Sequence, residues 1–181
     1  MNTGEKMNVV IRPSTHDDLT DIVRIFSEST YDKREKEIRN AVNANKRGKI
    51  SILSACIDGN VVGAHILHRP SKTVGKNGVI VVDATCRGQE IGTNLYIAAI
   101  KIFKAEGRNK VTDSVIGRNP MMVSLLNFLG YQYEGCLRRH TNDGKDILLF
   151  AFFLDENDTP DNSSHVTLDI PATDYMGEAV T

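Results

Sequence analysis

The chain has 181 residues, with 22 Lys and Arg against 23 Asp and Glu, a formal net charge of −1 and no Trp. That length suits one domain with a single good core. No apolar run reaches the roughly 18 residues of a membrane span, and the polar start Met1 to Asn8 is no signal peptide, so no membrane association is expected. Cys56, Cys86 and Cys136 are odd in number and form no Cys-x-x-Cys pair, which suits a cytoplasmic location and argues against a metal site. The near-zero charge hides an asymmetry. Seven of the acids lie in residues 155–181, which hold no Lys or Arg, so residues 1–154 carry 16 acids against 22 bases, a surplus of six. Such a body suits an anionic ligand. It shows no aromatic–basic stripe or recognition helix, which disfavours nucleic acid.

Val9, Val10 and Ile11 predict a first strand closed by Pro13. Ser14 or Thr15 can cap a helix whose apolar residues Leu19, Ile22, Val23 and Phe26 follow the i, i+3, i+4, i+7 spacing. Asp32 with Glu35 makes a capping-box pattern before a second helix carrying Ile38, Ala41 and Val42, stopped near Gly48. Residues 50–57 and 61–68 predict two strands around a hairpin turn at Asp58-Gly59-Asn60. Residues 69–78, with Pro70, Gly75 and Gly78, read as a polar loop. Val79, Ile80, Val81 and Val82 are four β-branched residues in a row and predict a buried strand. Leu95, Ala98, Ala99 and Ile102 then have helical spacing, ended by Glu106-Gly107. A fifth strand covers 110–116, and Pro120 opens a helix through Met122, Leu125 and Leu126 that stops at Gly130. Residues 131–137 and 146–153 predict two final strands, turned at Asn142-Asp143-Gly144. The acidic tail 155–181 has the composition of a flexible segment, although alternation over 166–170 is compatible with an added edge strand.

The connection after Val82 carries the chemistry. Arg87, Gly88, Gln89, Glu90, Ile91, Gly92 and Thr93 run from a strand into a helix, leaving several backbone N–H groups unpaired and pointing one way. Open amides at the positive end of a helix dipole favour an anion, so the loop is a candidate pyrophosphate cradle. It is not a nucleotide P-loop, because no Lys follows Gly92, nor a dinucleotide fingerprint, because only Gly88 and Gly92 are present. The segment resembles the acetyl-CoA loop of the GNAT N-acetyltransferase superfamily. There, Arg or Gln, two residues, Gly, one residue, then Gly or Ala follow a strand ending like Val-Val-Asp. Arg87 and Gly92 fit the first and last positions, and Glu90 stands where the family usually has its first Gly. Were Glu90 to lie in the helical first turn, the dipole would offer about 0.3–1 kcal/mol, nearly offsetting screened repulsion from a phosphate. Were the position to need φ > 0, Glu would cost about 1–2 kcal/mol.

A second segment, Asn119 to Tyr131, resembles the superfamily's later motif, which has Asn, a small or apolar residue three on, Leu-Tyr, and then Gly-Phe. Asn119, Leu125, Gly130 and Tyr131 fit in register. By itself this stretch is an amphipathic helix with a glycine stop. About thirty residues after the cradle, it reads as the second half of a cofactor site. The resemblance covers residues 8–154 and implies an α+β GNAT fold. That fold is a central mixed, mostly antiparallel seven-stranded sheet flanked by about four helices. It also implies acetyl-CoA as cosubstrate, held by the backbone at Val81 and Val82, by residues 87–93 and by Asn119. The implied reaction is transfer of acetyl to a primary amine by direct attack on the thioester.

The general acid and base are less visible. The Tyr that many members use to protonate the leaving thiolate would fall at position 126, which is Leu126, with Tyr96, Ser124, Tyr131 and Tyr133 as open alternatives. Glu134 and Asp83 are the leading base candidates, ahead of His65, His68 and His140. His65 and His68, three apart in a strand, face opposite sides and cannot chelate one metal. Deprotonating a lysine-like amine at pH 7 costs roughly 4.6 kcal/mol, against about 1 for an α-amine, so a site without a conspicuous base favours the latter. The run from Tyr133 to His140, followed by Asp143 to Ile147, resembles the ribosomal-protein alanine and amino-acid acetyltransferase branches. The expected partner is therefore a small-molecule amine or a peptide N-terminus, and a homodimer is left open. Glu90 and Leu126 keep one alternative alive, a non-catalytic module that binds or senses CoA.

Overall fold

The computed structural model describes residues 8–29, 35–44, 48–117, 119–154 and 166–168. Among these described residues, eight strands and four α-helices follow in chain order: β1 (Val9–Pro13), α1 (Leu19–Ser27), α2 (Glu35–Ala44), β2 (Ile50–Ile57), β3 (Asn60–His68), β4 (Val74–Val82), α3 (Ile91–Ala105), β5 (Lys110–Ile116), α4 (Pro120–Phe128), β6 (Gln132–Leu137), β7 (Ile147–Phe153) and β8 (Val166–Leu168). They form one mixed sheet in the order β6-β7-β5-β4-β3-β2-β1-β8. The pairs β4–β5 and β1–β8 are parallel and the others antiparallel. The expected α+β architecture is therefore present in its seven strands and four helices, with β8 added beside β1. Positions 169 and 170 of the expected edge strand, and the Asp32 capping pattern, lie outside the described residues.

Apolar periodicity decides which face each helix covers. Ile22, Ile25 and Phe26 of α1 and Ile38 of α2 pack on Ile52, Val61, Ala64 and Val81 on one face of the sheet. Leu95, Ala99 and Phe103 of α3 and Leu126 of α4 pack on Leu53, Leu67, Val111 and Phe152 on the other. The β2–β3 hairpin turns on Asp58 and Gly59, whose φ values of 49° and 83° suit a tight turn with positive φ at both centres. α1 starts later than its sequence suggested. Ser14 and Thr15 do not cap it. Asp18 stands at the N-cap, its carboxylate taking the Thr15 N–H at 2.7 Å and the Arg12 guanidinium at 2.6 and 2.8 Å, while Ser14 bonds Ser54.

The larger correction concerns residues 69–78. β4 begins at Val74, so half of the expected loop is strand. Its glycines fill places where a side chain has no room: a Cβ on Gly75 would lie 2.6 Å from the Phe103 ring, and one on Gly78 would lie 2.8 Å from the Ile66 carbonyl oxygen. At Gly78 the strand also gains a residue. Leu67 of β3 opposes Asn77, but His65 opposes Ile80, so Gly78 and Val79 together stand across from Ile66. This β-bulge inverts the alternation of β4. Before it, Gly75 and Asn77 point toward α3; after it, Ile80 and Val82 do so, while Val79 and Val81 turn to the α1–α2 side.

The bulge also opens the sheet. β4 pairs with β5 only over Val74–Lys76 against Lys110–Thr112, whereas β5 pairs with β7 without interruption to Ile116 opposite Ile147. Beyond Lys76 the two parallel neighbours diverge. Gly78→Ala should therefore lose about 1–3 kcal/mol in urea unfolding, because the His68 ring can swing away but the Ile66 carbonyl cannot. A variant as stable as the parent would mean that the bulge gives way without cost.

Candidate active site

Both arms of the fork end at helix N-termini. β4 runs through Asp83 into a single 3-10 turn (Ala84–Cys86), then through Arg87 to Glu90 into α3. β5 ends at Ile116, and Asn119 three residues on caps α4 by accepting the Met122 N–H on its side-chain oxygen at 3.3 Å. The expected binding residues Val81, Val82, 87–93 and Asn119 thus lie around the open end of the fork. Arg87, Gly88, Gln89 and Glu90 are exposed, and Arg87 Nε donates to the Val82 carbonyl at 3.3 Å. The first intrahelical bond of α3 is Asn94 N–H to the Glu90 carbonyl, so Ile91, Gly92 and Thr93 have amides with no acceptor inside the helix. A Cβ on Gly92 would meet nothing nearer than Val82 at 3.9 Å. The fold itself therefore leaves room for a side chain at Gly92.

Glu90 adopts φ 59°, ψ 8° as the N-cap of α3 and makes no side-chain capping bond. Of the two expectations for this residue, the strained one applies. A glycine would sit in this left-handed conformation without penalty, which explains in backbone terms why the resembling pattern has glycine at the position.

The two base candidates are far apart in the sheet and both are engaged. Asp83 accepts the Thr85 hydroxyl at 2.7 Å, the Thr85 N–H at 3.0 Å and Arg24 Nη1 of α1 at 3.0 Å. The Thr85 bonds, then Arg24, hold its carboxyl down to about 2, so at neutral pH it is a poor proton acceptor. Its place is structural: it caps the 3-10 turn and ties the cradle to α1. Glu134 lies at an irregularity of edge strand β6, two strands from the fork, paired with Lys110 Nζ at 2.5 Å. Leu126 is fully buried, and Tyr133 is exposed on β6.

Four buried polar residues form a group that no sequence motif marks. Asn77, Tyr96, Asp113 and Tyr131 meet where β4 and β5 part, with Tyr96 Oη donating to Asp113 Oδ2 at 2.8 Å and Asn77 Nδ2 reaching Tyr131 Oη at 2.7 Å. Burial pushes the Tyr131 phenol upward, the Asp113 charge adding to it, and the Tyr96 hydroxyl is already donated to Asp113. A signal did exist in the sequence: Val111, Asp113 and Val115 share the inward face of β5, and an inward Asp needs partners. His65 is buried beside Tyr96, ring centroids 4.9 Å apart, with Nδ1 facing the Leu95 carbonyl at 3.4 Å and Nε2 without a partner among the described residues. Among the described residues no cluster of three or more His, Cys, Asp or Glu could hold a metal, and no helix is long and apolar enough to cross a membrane.

Residues 16–131 match the acetyltransferase (GNAT) family, and the chain belongs to it. Solved structures share the fold. An N-acetyltransferase from Staphylococcus aureus Mu50 is 22% identical with a TM-score of 0.72, over 81% of this chain and 99% of that chain. The yncA protein of Salmonella typhimurium, solved with its cofactor acetyl-CoA, is 17% identical at 0.71, over 86% of this chain and 99% of that chain. The ribosomal-protein-S18-alanine N-acetyltransferase of Escherichia coli is 18% identical at 0.71, over 85% of this chain and 97% of that chain. No curated protein matches the chain.

Two outcomes follow from the site's geometry. Glu90→Gly should raise stability by about 1 kcal/mol in denaturant, whereas Glu90→Ala, which keeps a Cβ at the same φ, should not. Equal gains from both would point to the charge rather than the backbone. His65 is held near 4 by burial, against an ordinary 6.5. Between those values the unfolded chain takes up a proton that the folded chain refuses. Stability is therefore full above pH 6.5 and falls as pH drops toward 4, by at most about 1.4 kcal/mol per pH unit. His65→Leu should remove that part of the slope, as read from unfolding at several pH values.

Proposed function

We propose that the protein is an acetyl-CoA-dependent N-acetyltransferase acting on a primary amine, with a peptide N-terminus or a small α-amine as acceptor. The observation that carries this reading is the pairing of a cradle of open amides with a forked parallel strand pair at one end of the sheet. CoA is a diphosphate joined to an amide-bearing arm that ends in a thioester. The amides of Ile91, Gly92 and Thr93, with Arg87, suit the pyrophosphate. The free edge of β4 beyond the bulge suits the arm, since its unpaired backbone groups can bond amides as a neighbouring strand would.

The chemistry then needs little more than placement. The amine nitrogen bonds to the thioester carbonyl carbon, the C–S bond breaks, CoA leaves as thiolate, and the amine gives up a proton to solvent or a base. A β4 N–H facing the carbonyl oxygen would stabilise the negative charge that develops there. Orientation of this kind can supply on the order of 7–11 kcal/mol. No acid is required in principle, because a thiol of ordinary pKa near 8.5 is a tolerable leaving group.

The placement of the two base candidates supports an α-amine as the acceptor. With Asp83 held by Thr85 and Arg24, and Glu134 on β6 two strands from the fork, neither candidate is placed to deprotonate a lysine-like amine. An α-amine needs much less help. The same observation supports one second reading, a module that binds CoA without turnover.

Thiol release from acetyl-CoA separates them. With a panel of peptides bearing free N-termini and small α-amines, set against an N-blocked lysine peptide, the expected result is release with at least one α-amine and little with lysine. Binding of acetyl-CoA with no release from any amine would favour the module. Arg87→Ala should weaken acetyl-CoA binding by about 10- to 100-fold, the range for losing a hydrogen bond to a charged group.

A further inference from the structure

Backbone pairing between β4 and β5 ends at Lys76 and Thr112, and one step further in the same register come Asn77 and Asp113. These two remain tied through their side chains, Asn77 Nδ2 to Asp113 Oδ2 at 3.2 Å. The same carboxylate oxygen accepts Tyr96 Oη of α3 at 2.8 Å, and Oδ1 accepts the Ser114 N–H at 2.6 Å. Asn77 Nδ2 also reaches Tyr131 Oη, just beyond α4, at 2.7 Å. Exposure is 3% for Asn77, 1% for Tyr96, 5% for Asp113 and 3% for Tyr131, so the cluster is interior. It joins both arms of the fork to α3 and to the segment following α4.

Stability alone is a weak reason for this arrangement. A buried carboxylate is expensive to desolvate, and well-packed apolar residues often serve as well. Burial raises the affinity of Asp113 for its proton, against the hydrogen bonds from Tyr96, Ser114 and Asn77. The donors are nevertheless aimed with good geometry. Asn77 Oδ1 is buried at the crotch of the fork with no partner among the described residues. The residue after Asn77 is Gly78, where the bulge begins.

We propose that Asp113 is a positioning residue for acetyl transfer: by holding Asn77 it fixes the angle at which β4 leaves β5, and with it the placement of the β4 backbone that meets the acyl-bearing arm of CoA. The proposal rests on the acetyl-CoA reading above. Polar bonds suit this task because they have direction. Apolar contacts would fill the same volume while leaving the strand separation less defined.

The test compares two probes by calorimetry. Acetyl-CoA spans cradle and fork, whereas 3′,5′-ADP carries the nucleoside, the 3′-phosphate and only the first phosphate of the pyrophosphate, with no arm, and so reports on the cradle end without the fork. Asp113→Leu and Asp113→Asn should bind acetyl-CoA about tenfold or more weakly, with 3′,5′-ADP within about twofold of the parent. The exchange Asn77→Asp with Asp113→Asn keeps one carboxylate and one amide at the crotch and should recover most of the acetyl-CoA affinity. Should Asp113→Leu fail to fold, Asp113→Asn and the exchange carry the test. Unchanged acetyl-CoA affinity in the single variants would overturn the proposal, as would equal weakening of both probes, which would mean general disruption. A parent protein that binds 3′,5′-ADP but gains nothing from the acetylated arm would remove the acetyl-CoA reading itself, and the positioning role with it.

Discussion

One inserted residue organises this protein. Because Gly78 and Val79 together face Ile66, β4 cannot keep the register it holds with β5 over Val74–Lys76. The Ile66 carbonyl leaves no room for a Cβ at the first of these residues, so glycine is a steric requirement of the bulge. Everything at the candidate site depends on this kink. It separates two parallel neighbours inside an otherwise continuous sheet and frees backbone groups that a flat sheet would have consumed. It also sends Val79 and Val81 to the α1–α2 side while Ile80 and Val82 face α3.

The fork is usable because its surroundings are stiff. At the closed end, Arg69 and Arg108 share Glu106 at 2.6 Å each, and both guanidinium groups lie 5.8 Å from the Phe103 ring, which fills the space above Gly75. At the open end, Asp83 ties the cradle to Arg24 of α1, and Asn119 caps the helix on the other arm. Between them lies the Asp113 cluster. Glu90 shows where rigidity carries a penalty: a residue with a Cβ is held at φ 59° so that α3 can begin immediately behind the loop.

Much of this was legible in the sequence, for physical reasons that vary by element. β5 has the same limits in both readings because Val111 and Val115 alternate cleanly with polar neighbours. α4 was legible from Pro120 and Gly130, which restrict the backbone at its two ends. The first part of β4 was not, since Gly75, Lys76, Asn77 and Gly78 look like a loop until Phe103 and Ile66 are seen to need the space. The start of α1 was misplaced because Thr15 works in the reverse sense, donating its N–H to Asp18. Motif spacing located the cradle but could not show that Glu90 is left-handed. Nor could it show that Asp83 is spent on Thr85 and Arg24, because both depend on the path of the chain between motifs.

Thermal unfolding of the full chain with excess acetyl-CoA, beside NAD and ATP, tests the central claim most directly. A ligand at 100 times its dissociation constant stabilises the fold by about 2.7 kcal/mol, which for a domain of this size is roughly 5–10 °C. The expected result is a rise of that order with acetyl-CoA and none with NAD or ATP. An unchanged midpoint in saturating acetyl-CoA would contradict the account, because the cradle and the fork would then hold no CoA.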